Sequence, residues 1–259
     1  MTNPMPELIL LPDPPAVARR ATEAFVEHAR RAIAERNTFT VALSGGSTPK
    51  AMFDLLASDE FRSKVDWPRV EIFFVDERCV PPTSNESNYR MTRERLLWKV
   101  PVQVQNVWRM RGEISPEPAA ILYGRDLKNR FQKGAPDLIL LGMGDDGHTA
   151  SLFPNTPALD ETDHRCVPNH VPYDYIPAGT NWRVTMSAPF INRSKHVMFM
   201  VTGASKSARV LEVLTGPRDV HRLPAQLIAP TDGRLSWLLD SAAGMALAIS
   251  SLGKTITRG

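Results

Sequence analysis

The feature that most constrains the fold is an alternation of short, continuous apolar runs with stretches of helical periodicity. The apolar runs cover residues 38–43, 70–75, 137–141, 183–187 and 196–202. Between and after them lie segments with apolar residues at helical spacing, such as KAMFDLLAS and SKSARVLEVLTG. Continuous β-rich runs that alternate with helices indicate a mostly parallel sheet that is buried on both faces. The sequence therefore predicts an α/β fold with helices on both faces of the sheet.

The overall charge and hydropathy exclude several classes of protein. Net charge is +3, which is compatible with anionic ligands but too small to indicate nucleic-acid binding. No apolar run approaches the roughly 18 residues that a membrane-spanning helix needs. The first 15 residues contain no basic region and are interrupted by prolines, so they do not resemble a signal peptide. These features predict neither a nucleic acid nor a membrane as partner.

The two cysteines, Cys79 and Cys166, are too few for a disulfide framework, and the chain contains no C-x-x-C motif. Cys79 follows an arginine, but no partner arrangement suggests a nucleophile, so we expect a packed or half-buried thiol. Unpaired cysteines without a signal peptide favour a reducing, cytoplasmic location.

Polar loops follow four of the predicted strands. Ligands of parallel sheets bind beyond the carboxyl ends of the strands, so each loop is a candidate for the functional site. The loops are SGGSTP at residues 44–49, DERCVPPTSNESN at 76–88, GMGDDGH at 142–148 and TGASK at 202–206.

The first loop has the composition of an anion-binding turn. Gly45 and Gly46 allow positive φ angles and close approach of the backbone, and Ser44, Ser47 and Thr48 add hydroxyl groups. The loop leads into a helix whose first N–H groups and positive dipole end would favour a phosphate. The spacing of a Walker A loop is absent, and an ordinary capped turn is the alternative.

Two cations lie where they could bind the same anion. Arg78 ends the charged triplet of Asp76, Glu77 and Arg78 directly after a strand, and its planar guanidinium suits bidentate phosphate binding. Lys206 lies near a predicted helix start, which is electrostatically unfavourable unless an anion compensates it. The alternative is that both residues only mark where the chain reaches the surface.

The third loop contains a G-x-G-x-x-G pattern formed by Gly142, Gly144 and Gly147. A dinucleotide-binding fingerprint would open a long helix and reach a strand-end acid about twenty residues later. Asp163 stands at that distance, but it lies in a polar segment interrupted by prolines. The pattern therefore does not predict a nicotinamide or flavin site.

His148 and Asp146 give the third loop a different role. An imidazole has an unperturbed pKa near 6.5, which suits a general base at neutral pH. A neighbouring aspartate can fix its tautomer and stabilise the imidazolium. Two alternatives are a structural histidine at a helix start and a metal site of Asp146 and His148. The metal site lacks a further ligand at helical or hairpin spacing.

Taken together, the four loops resemble the 6-phosphogluconolactonase family. The matching segments are LSGGSTP, VDERCVPPTSNESNYRM, LGMGDDGHTASLFP and VTGASK, followed by LPAQLIAPTDGRLSWLLD near the end. The resemblance implies a single domain over residues 1–259 with an open, Rossmann-like sheet of the sugar-phosphate isomerase/deaminase type. It also implies hydrolysis of 6-phospho-D-glucono-1,5-lactone in the oxidative pentose phosphate pathway, with no metal or organic cofactor.

The resemblance also implies roles for individual residues. His148 would be the general base, and Asp146 would support it. Arg78 and Lys206 would hold the phosphate together with the turn at residues 44–48, and Asp76 would line the sugar end of the pocket. The small-molecule partner would be a phosphosugar lactone.

Two other functions remain open at this point. A glucosamine-6-phosphate deaminase or a sugar-phosphate isomerase would share the D-G-H loop, but the deaminases carry a glutamate where this chain has Phe153. A non-catalytic phosphosugar sensor on the same fold is the other alternative. The segment at residues 169–182 is expected to be an ordered loop bordering the pocket, with His164 and His170 at the surface. An oligomer is possible, but the sequence does not predict one.

Overall fold

A computed structural model describes residues 6–171, 179–249 and 257–258. The strands are β1 (Glu7–Leu11), β2 (Phe39–Leu43), β3 (Val70–Phe74), β4 (Asp76–Arg78), β5 (Val107–Trp108), β6 (Leu138–Leu141), β7 (Cys166–His170), β8 (Trp182–Met186), β9 (His196–Val201), β10 (Arg234–Asp240) and β11 (Thr257–Arg258). The α-helices are α1 (Pro14–Arg36), α2 (Ser47–Leu56), α3 (Asn88–Thr92), α4 (Pro116–Arg130), α5 (Ala188–Ile191), α6 (Ser207–Thr215) and α7 (Met245–Ile249). A π-helical turn, Arg93–Leu97, extends α3.

The described strands form one large parallel sheet and one small antiparallel sheet. The large sheet has the order β11-β1-β10-β9-β6-β2-β3-β5, and all of its neighbours are parallel. From β2 the chain builds outward through β3 and β5, and later continues on the other side of β2 with β6. The strand order therefore reverses between β2 and β6, the place where open α/β sheets bind ligands.

Strand residues alternate between two apolar layers. Val41 and Ile72 point into one layer, which α1 and α2 complete, whereas Ala42 and Phe73 point into the other. That second layer also contains apolar residues of α4, α5, α6 and α7, and of the small sheet β4-β8-β7. The predicted parallel sheet with helices on both faces is confirmed.

Helix α1 shows how local sequence fixes an element. Asp13 caps its start by accepting a hydrogen bond from the Ala16 N–H at 2.8 Å, and prolines occupy its first turn. Asn37 ends it in the left-handed conformation, at φ 62°. None of the helices in the described parts of the chain combines the length and apolar character that crossing a membrane requires.

The antiparallel sheet differs from the sequence-based expectation. Residues 183–187 were expected to follow on as a strand of the parallel sheet, but β8 pairs antiparallel with β4 and β7 instead. The reason lies at Val75, where the chain leaves the large sheet: its N–H donates to Leu43, and its carbonyl accepts from Met186 at 2.7 Å. The strand β7 contains Pro168 and Asn169, which are rare in strands, so its sequence gave no clear signal.

Candidate functional site

The loops that follow β2, β6 and β9 surround a cavity of about 310 Å³ together with β4 and β8. Nine of the ten predicted site residues line it: Ser44, Gly45, Gly46, Ser47, Thr48, Asp76, Arg78, His148 and Lys206. The tenth, Asp146, is bonded to His148. The structure thus brings together residues that are up to 162 positions apart in the chain.

His148 and Asp146 form a hydrogen-bonded pair at this cavity. The imidazole Nδ1 lies 2.6 Å from Asp146 Oδ1, which also accepts the His148 backbone N–H at 3.0 Å. Donation from Nδ1–H to the carboxylate makes Nε2 the basic ring nitrogen. Within the described ranges, no group of three His, Cys, Asp or Glu side chains is arranged to hold a metal ion. The pair has the arrangement of an oriented general base.

In the histidine loop, residues 142–149, Gly144 makes room for this pair. A Cβ on Gly144 would lie 2.1 Å from His148 Nδ1 and 2.6 Å from Asp146 Oδ1. Gly147 has a φ of +85°, which side-chain-bearing residues rarely adopt. The loop leads into a turn rather than a long helix. Gly144 therefore serves the imidazole, and the loop lacks the long helix that a dinucleotide fingerprint would open.

Phe153 stacks on the catalytic candidate. Its ring centroid lies 4.0 Å from that of His148, with 19° between the ring planes. The guanidinium carbon of Arg183 lies 5.8 Å from the Phe153 centroid. This aromatic ring thus contacts both the imidazole and a cation, and it limits how the imidazole can rotate.

Arg183 lines the cavity, and sequence reasoning missed it. It lies directly opposite Arg78 in the β4–β8 pair, where the two side chains are on the same face of the sheet. Burial and the neighbouring Arg78 lower the pKa of Arg183 to about 10. Two like charges in register are unfavourable unless an anion binds between them. The one available signal was an arginine at the start of a predicted buried strand.

Asp76 is buried and is the first residue of β4. Its Oδ2 accepts a hydrogen bond from Ser151 Oγ at 2.6 Å. Ser151 follows His148 by three residues, so this bond joins the carboxylate to the segment that carries the imidazole. Asp76 lines the cavity, while Ser151 was not singled out from the sequence.

Glu77, the middle residue of the charged triplet, has a structural role. It is 2% exposed and accepts hydrogen bonds from Ser87 Oγ and from the backbone N–H groups of Arg78, Asn88 and Tyr89. Burial raises the pKa of Glu77, against the effect of these hydrogen bonds. The carboxyl group anchors the start of α3 beside the cavity.

The turn at residues 44–48 presents the start of α2 to the cavity. Gly46 caps the helix at a φ of +114°, and no side chain in the described parts of the chain caps its N–H groups. Ser44 Oγ donates to the Leu140 carbonyl at 2.6 Å, which fastens the turn to β6. Thr48 Oγ1 lies 3.0 Å from Thr202 Oγ1 in the loop after β9. Unsatisfied N–H groups and the helix dipole make this turn suited to an anion.

Lys206 reaches the cavity from the start of α6. Its Nζ lies 2.9 Å from Oδ1 of Asp145, a residue of the histidine loop. This contact and the Ser205 hydroxyl lower the pKa of Asp145. Because Asp145 is 69% exposed, the ion pair is solvated and an incoming phosphate can compete for the ammonium group.

The remaining sequence expectations concern thiols and surface histidines. Cys79 is half-buried, with a pKa raised to about 11 by burial and by Glu77, and Cys166 is buried. The half-buried thiol predicted for Cys79 is confirmed. His164 and His170 are exposed. The expected pocket-bordering loop at residues 169–182 lies partly outside the described residues.

Comparison with known proteins matches this chain to one family. Residues 12–237 match the family described as glucosamine-6-phosphate isomerases/6-phosphogluconolactonase. A 6-phosphogluconolactonase of Synechocystis sp. is 39% identical over 245 residues, which cover 92% of this chain and 97% of that protein.

Solved structures share the architecture. A 6-phosphogluconolactonase from Trypanosoma cruzi superposes with a TM-score of 0.82 at 26% identity, covering 95% of this chain and 98% of that one. A monomeric glucosamine-6-phosphate deaminase gives a TM-score of 0.77 at 17% identity, covering 92% and 99%. The deaminase similarity concerns the fold alone.

Proposed function

The chain belongs to the glucosamine-6-phosphate isomerase/6-phosphogluconolactonase family, and on this premise we propose that it hydrolyses 6-phospho-D-glucono-1,5-lactone to 6-phospho-D-gluconate in the oxidative pentose phosphate pathway. The observation that carries the proposal is the 2.6 Å contact between His148 Nδ1 and Asp146 Oδ1 at a cavity with several cations. An oriented base beside an anion-binding site is what hydrolysis of a phosphorylated lactone requires.

The reaction begins with a water molecule that His148 deprotonates through Nε2. The water oxygen bonds to C1 of the lactone, and the carbonyl π electrons move onto the carbonyl oxygen. When the tetrahedral intermediate collapses, the bond between C1 and the ring oxygen breaks, and the imidazolium returns its proton to that oxygen. Asp146 stabilises the imidazolium between the two steps. A lactone is an activated ester, so the step needs no covalent nucleophile.

Cations and backbone N–H groups that line the cavity bind the phosphate. Lys206, Arg78 and Arg183 supply three positive charges, and the turn at residues 44–48 supplies a helix N-terminus. Among the described residues that line the cavity, Asp76 is the one with a carboxylate, and we assign it to the sugar hydroxyls. In this assignment the phosphate is held by these groups and the lactone carbon lies at His148 Nε2.

The deaminase alternative is less compatible with the site. Sugar ring opening and movement of a C2 proton need further acid–base groups. Phe153 instead places an apolar ring directly against the imidazole, 4.0 Å between centroids. A single activated water, as in lactone hydrolysis, is the simpler match to this environment.

The test is a pH-stat measurement of acid release from freshly prepared lactone, with a chelator present. We expect wild-type protein to exceed the spontaneous rate and His148→Asn to lose about 10²–10⁴-fold in kcat, the usual contribution of a general base. His164→Asn is the matched control, because that side chain is 75% exposed and bonds Glu161 instead of lining the cavity. Wild-type turnover in His148→Asn would refute the mechanism.

Two further outcomes separate the alternatives. Ammonia release or ketose formation from an aldose phosphate would identify a deaminase or isomerase. Binding of 6-phosphogluconate without faster lactone opening would identify a sensor.

The cytoplasm is the compartment that we propose for this reaction. Cys79 and Cys166 are both free thiols, which supports a reducing environment.

A further inference from the structure

Asn88 touches more parts of the cavity than its position in the sequence suggested. It is the first residue of α3, 3% exposed, and its side chain lines the cavity. Its backbone N–H donates to Glu77 Oε1 at 2.8 Å. The main chain of Asn88 is therefore held by Glu77, and its amide group is left to other contacts.

The side-chain amide bonds Asp76 and Arg78 at the same time. Asn88 Nδ2 donates to the Asp76 backbone carbonyl at 2.9 Å and lies 3.4 Å from its Oδ1. Asn88 Oδ1 accepts from Arg78 Nη1 at 2.7 Å. A donor facing an acid and an acceptor facing a cation is an arrangement that an amide provides, whereas a carboxylate would repel Asp76.

The same amide is packed under the anion-binding turn. A Cβ on Gly45 would lie 2.0 Å from Asn88 Oδ1, so the turn approaches the amide as closely as a glycine allows. Asn88 thus contacts three elements to which the proposed function assigns the substrate: the turn, Asp76 and Arg78.

Arg78 depends on this contact for its orientation. Its Nη1 also donates to the Glu86 carbonyl at 2.9 Å, while its buried Nε finds no hydrogen-bond partner among the described residues. Removing Asn88 would leave the Glu86 carbonyl as the remaining acceptor on that nitrogen, beside the like charge of Arg183. The guanidinium would then be free to turn away from an incoming anion.

We propose that Asn88 is a positioning residue. It promotes substrate binding by holding the Arg78 guanidinium and the Asp76 carboxylate in place. This inference rests on the proposed lactone hydrolysis. A purely structural role would instead consist in stabilising the start of α3. Glu77 already performs that task through backbone hydrogen bonds that an Asn88 substitution leaves in place.

The test is a double-mutant cycle of Asn88→Ala and Arg78→Ala, with KM and kcat measured for lactone opening. We expect Asn88→Ala to raise KM about tenfold or more, with kcat reduced less than about threefold, because it weakens binding in ground and transition states alike. In the Arg78→Ala background the same substitution should change KM less than about threefold. Equal changes in both backgrounds, or a loss of kcat at constant KM, would overturn the proposal.

Asn192→Ala is the matched control. Its Nδ2 donates to the Leu227 carbonyl and its Oδ1 accepts from the Ala229 N–H, both at 2.8 Å, and it does not line the cavity. We expect it to lower stability and leave KM unchanged. If Asn88→Ala does not fold, Asn88→Ser enters the cycle in its place, since a hydroxyl keeps a polar group beside Arg78.

Binding of 6-phosphogluconate, measured by calorimetry on the same four proteins, separates this inference from the proposed function. If wild type opens the lactone but the cycle shows no coupling, the inference alone fails. If wild type binds the product without hydrolysis, the proposed function fails and coupling in the dissociation constants still supports positioning. If wild type does neither, both fail.

Discussion

Gly144 shows at the scale of one residue how closely the site is packed. Its missing side chain leaves the space that Nδ1 of His148 and Oδ1 of Asp146 occupy. The displaced atoms would be ends of side chains rather than backbone. An added methyl group should therefore disturb the pair without unfolding the loop.

We expect Gly144→Ala to lower kcat at least about tenfold while changing the free energy of unfolding by less than about 2 kcal/mol. The added Cβ would lie 2.1 Å from Nδ1, which forces the imidazole to rotate away from Asp146. Steady-state kinetics and urea denaturation are the measurements. Gly124→Ala in α4 is the control, because its Cβ would meet Cys166 at an ordinary 3.9 Å. Unchanged kcat in Gly144→Ala would show that the contact with Asp146 does not matter.

Site residues could be predicted from the sequence when they lie in loops of the parallel sheet. His148 and Lys206 follow strands of the parallel sheet, and loops at the carboxyl ends of such strands converge by construction. Arg183 comes from the antiparallel sheet, whose pairing depends on contacts between distant segments. Asn88 ends the polar segment 76–88, and its own residue type gives no sign of what it contacts. The one local signal for Arg183, an arginine at the start of a predicted buried strand, does not indicate a ligand.

At the scale of elements, two histidines join α1 to the large sheet away from the cavity. His196 in β9 places Nδ1 2.8 Å from His28 Nε2, and its own Nε2 lies 2.8 Å from Ser236 Oγ in β10. Burial lowers the pKa of His28 and, together with His28 and nearby arginines, lowers that of His196 to about 3. The charged groups that act on the pair are Arg20, Arg31, Arg234, Glu27 and Asp137.

These pKa values predict that acid loosens the contact between α1 and the sheet. A histidine whose folded pKa lies below its unfolded value of 6.5 binds fewer protons when folded, so stability falls as pH drops below 6.5. The slope is up to about 1.4 kcal/mol per pH unit for each histidine. We expect His196→Asn to reduce the slope of the free energy of unfolding against pH, measured between pH 7 and 5. His164→Asn, which removes an exposed imidazole, should leave the slope as it is; the same slope in both variants would contradict this origin.

Two strands, β1 and β7, were not predicted from the sequence. The run ELILL forms β1, but prolines on both sides made it look like an interrupted segment. β7 carries Pro168 and Asn169 and reads as a loop. The long runs of β2, β3 and β9 were predicted because buried parallel strands are continuously apolar. These two strands have weak sequence signals, and pairing with neighbouring strands stabilises them in the fold.

At the scale of the whole molecule, the cavity joins loops of β2, β6 and β9 with the second sheet. A ligand that bridges these parts binds the folded chain alone and should stabilise it. At a 6-phosphogluconate concentration about 100 times the dissociation constant, we expect a gain of about 2.7 kcal/mol in the free energy of unfolding. Denaturation of wild type with and without the ligand measures it.

Two variants show whether this stabilisation comes from the phosphate-binding groups or from the catalytic histidine. His148→Asn should keep the gain, because the histidine is assigned to the chemical step. Lys206→Ala should lose most of it at the same ligand concentration, because the phosphate then loses one of its three proposed cations and binds more weakly. An equal gain in both variants would move Lys206 out of the phosphate site.

The position of β1 between β10 and β11 has a consequence for how the chain is made. Glu7–Leu11 leaves the ribosome before the other described strands, yet its described partners, Arg234–Asp240 and Thr257–Arg258, are translated more than 200 residues later. At about 5–20 residues per second, the apolar ELILL segment waits at least ten seconds or so for a neighbour. During that interval an unpaired apolar strand edge is a target for chaperones and for self-association, so the C-terminal part of the chain decides when the nascent protein becomes safe from aggregation.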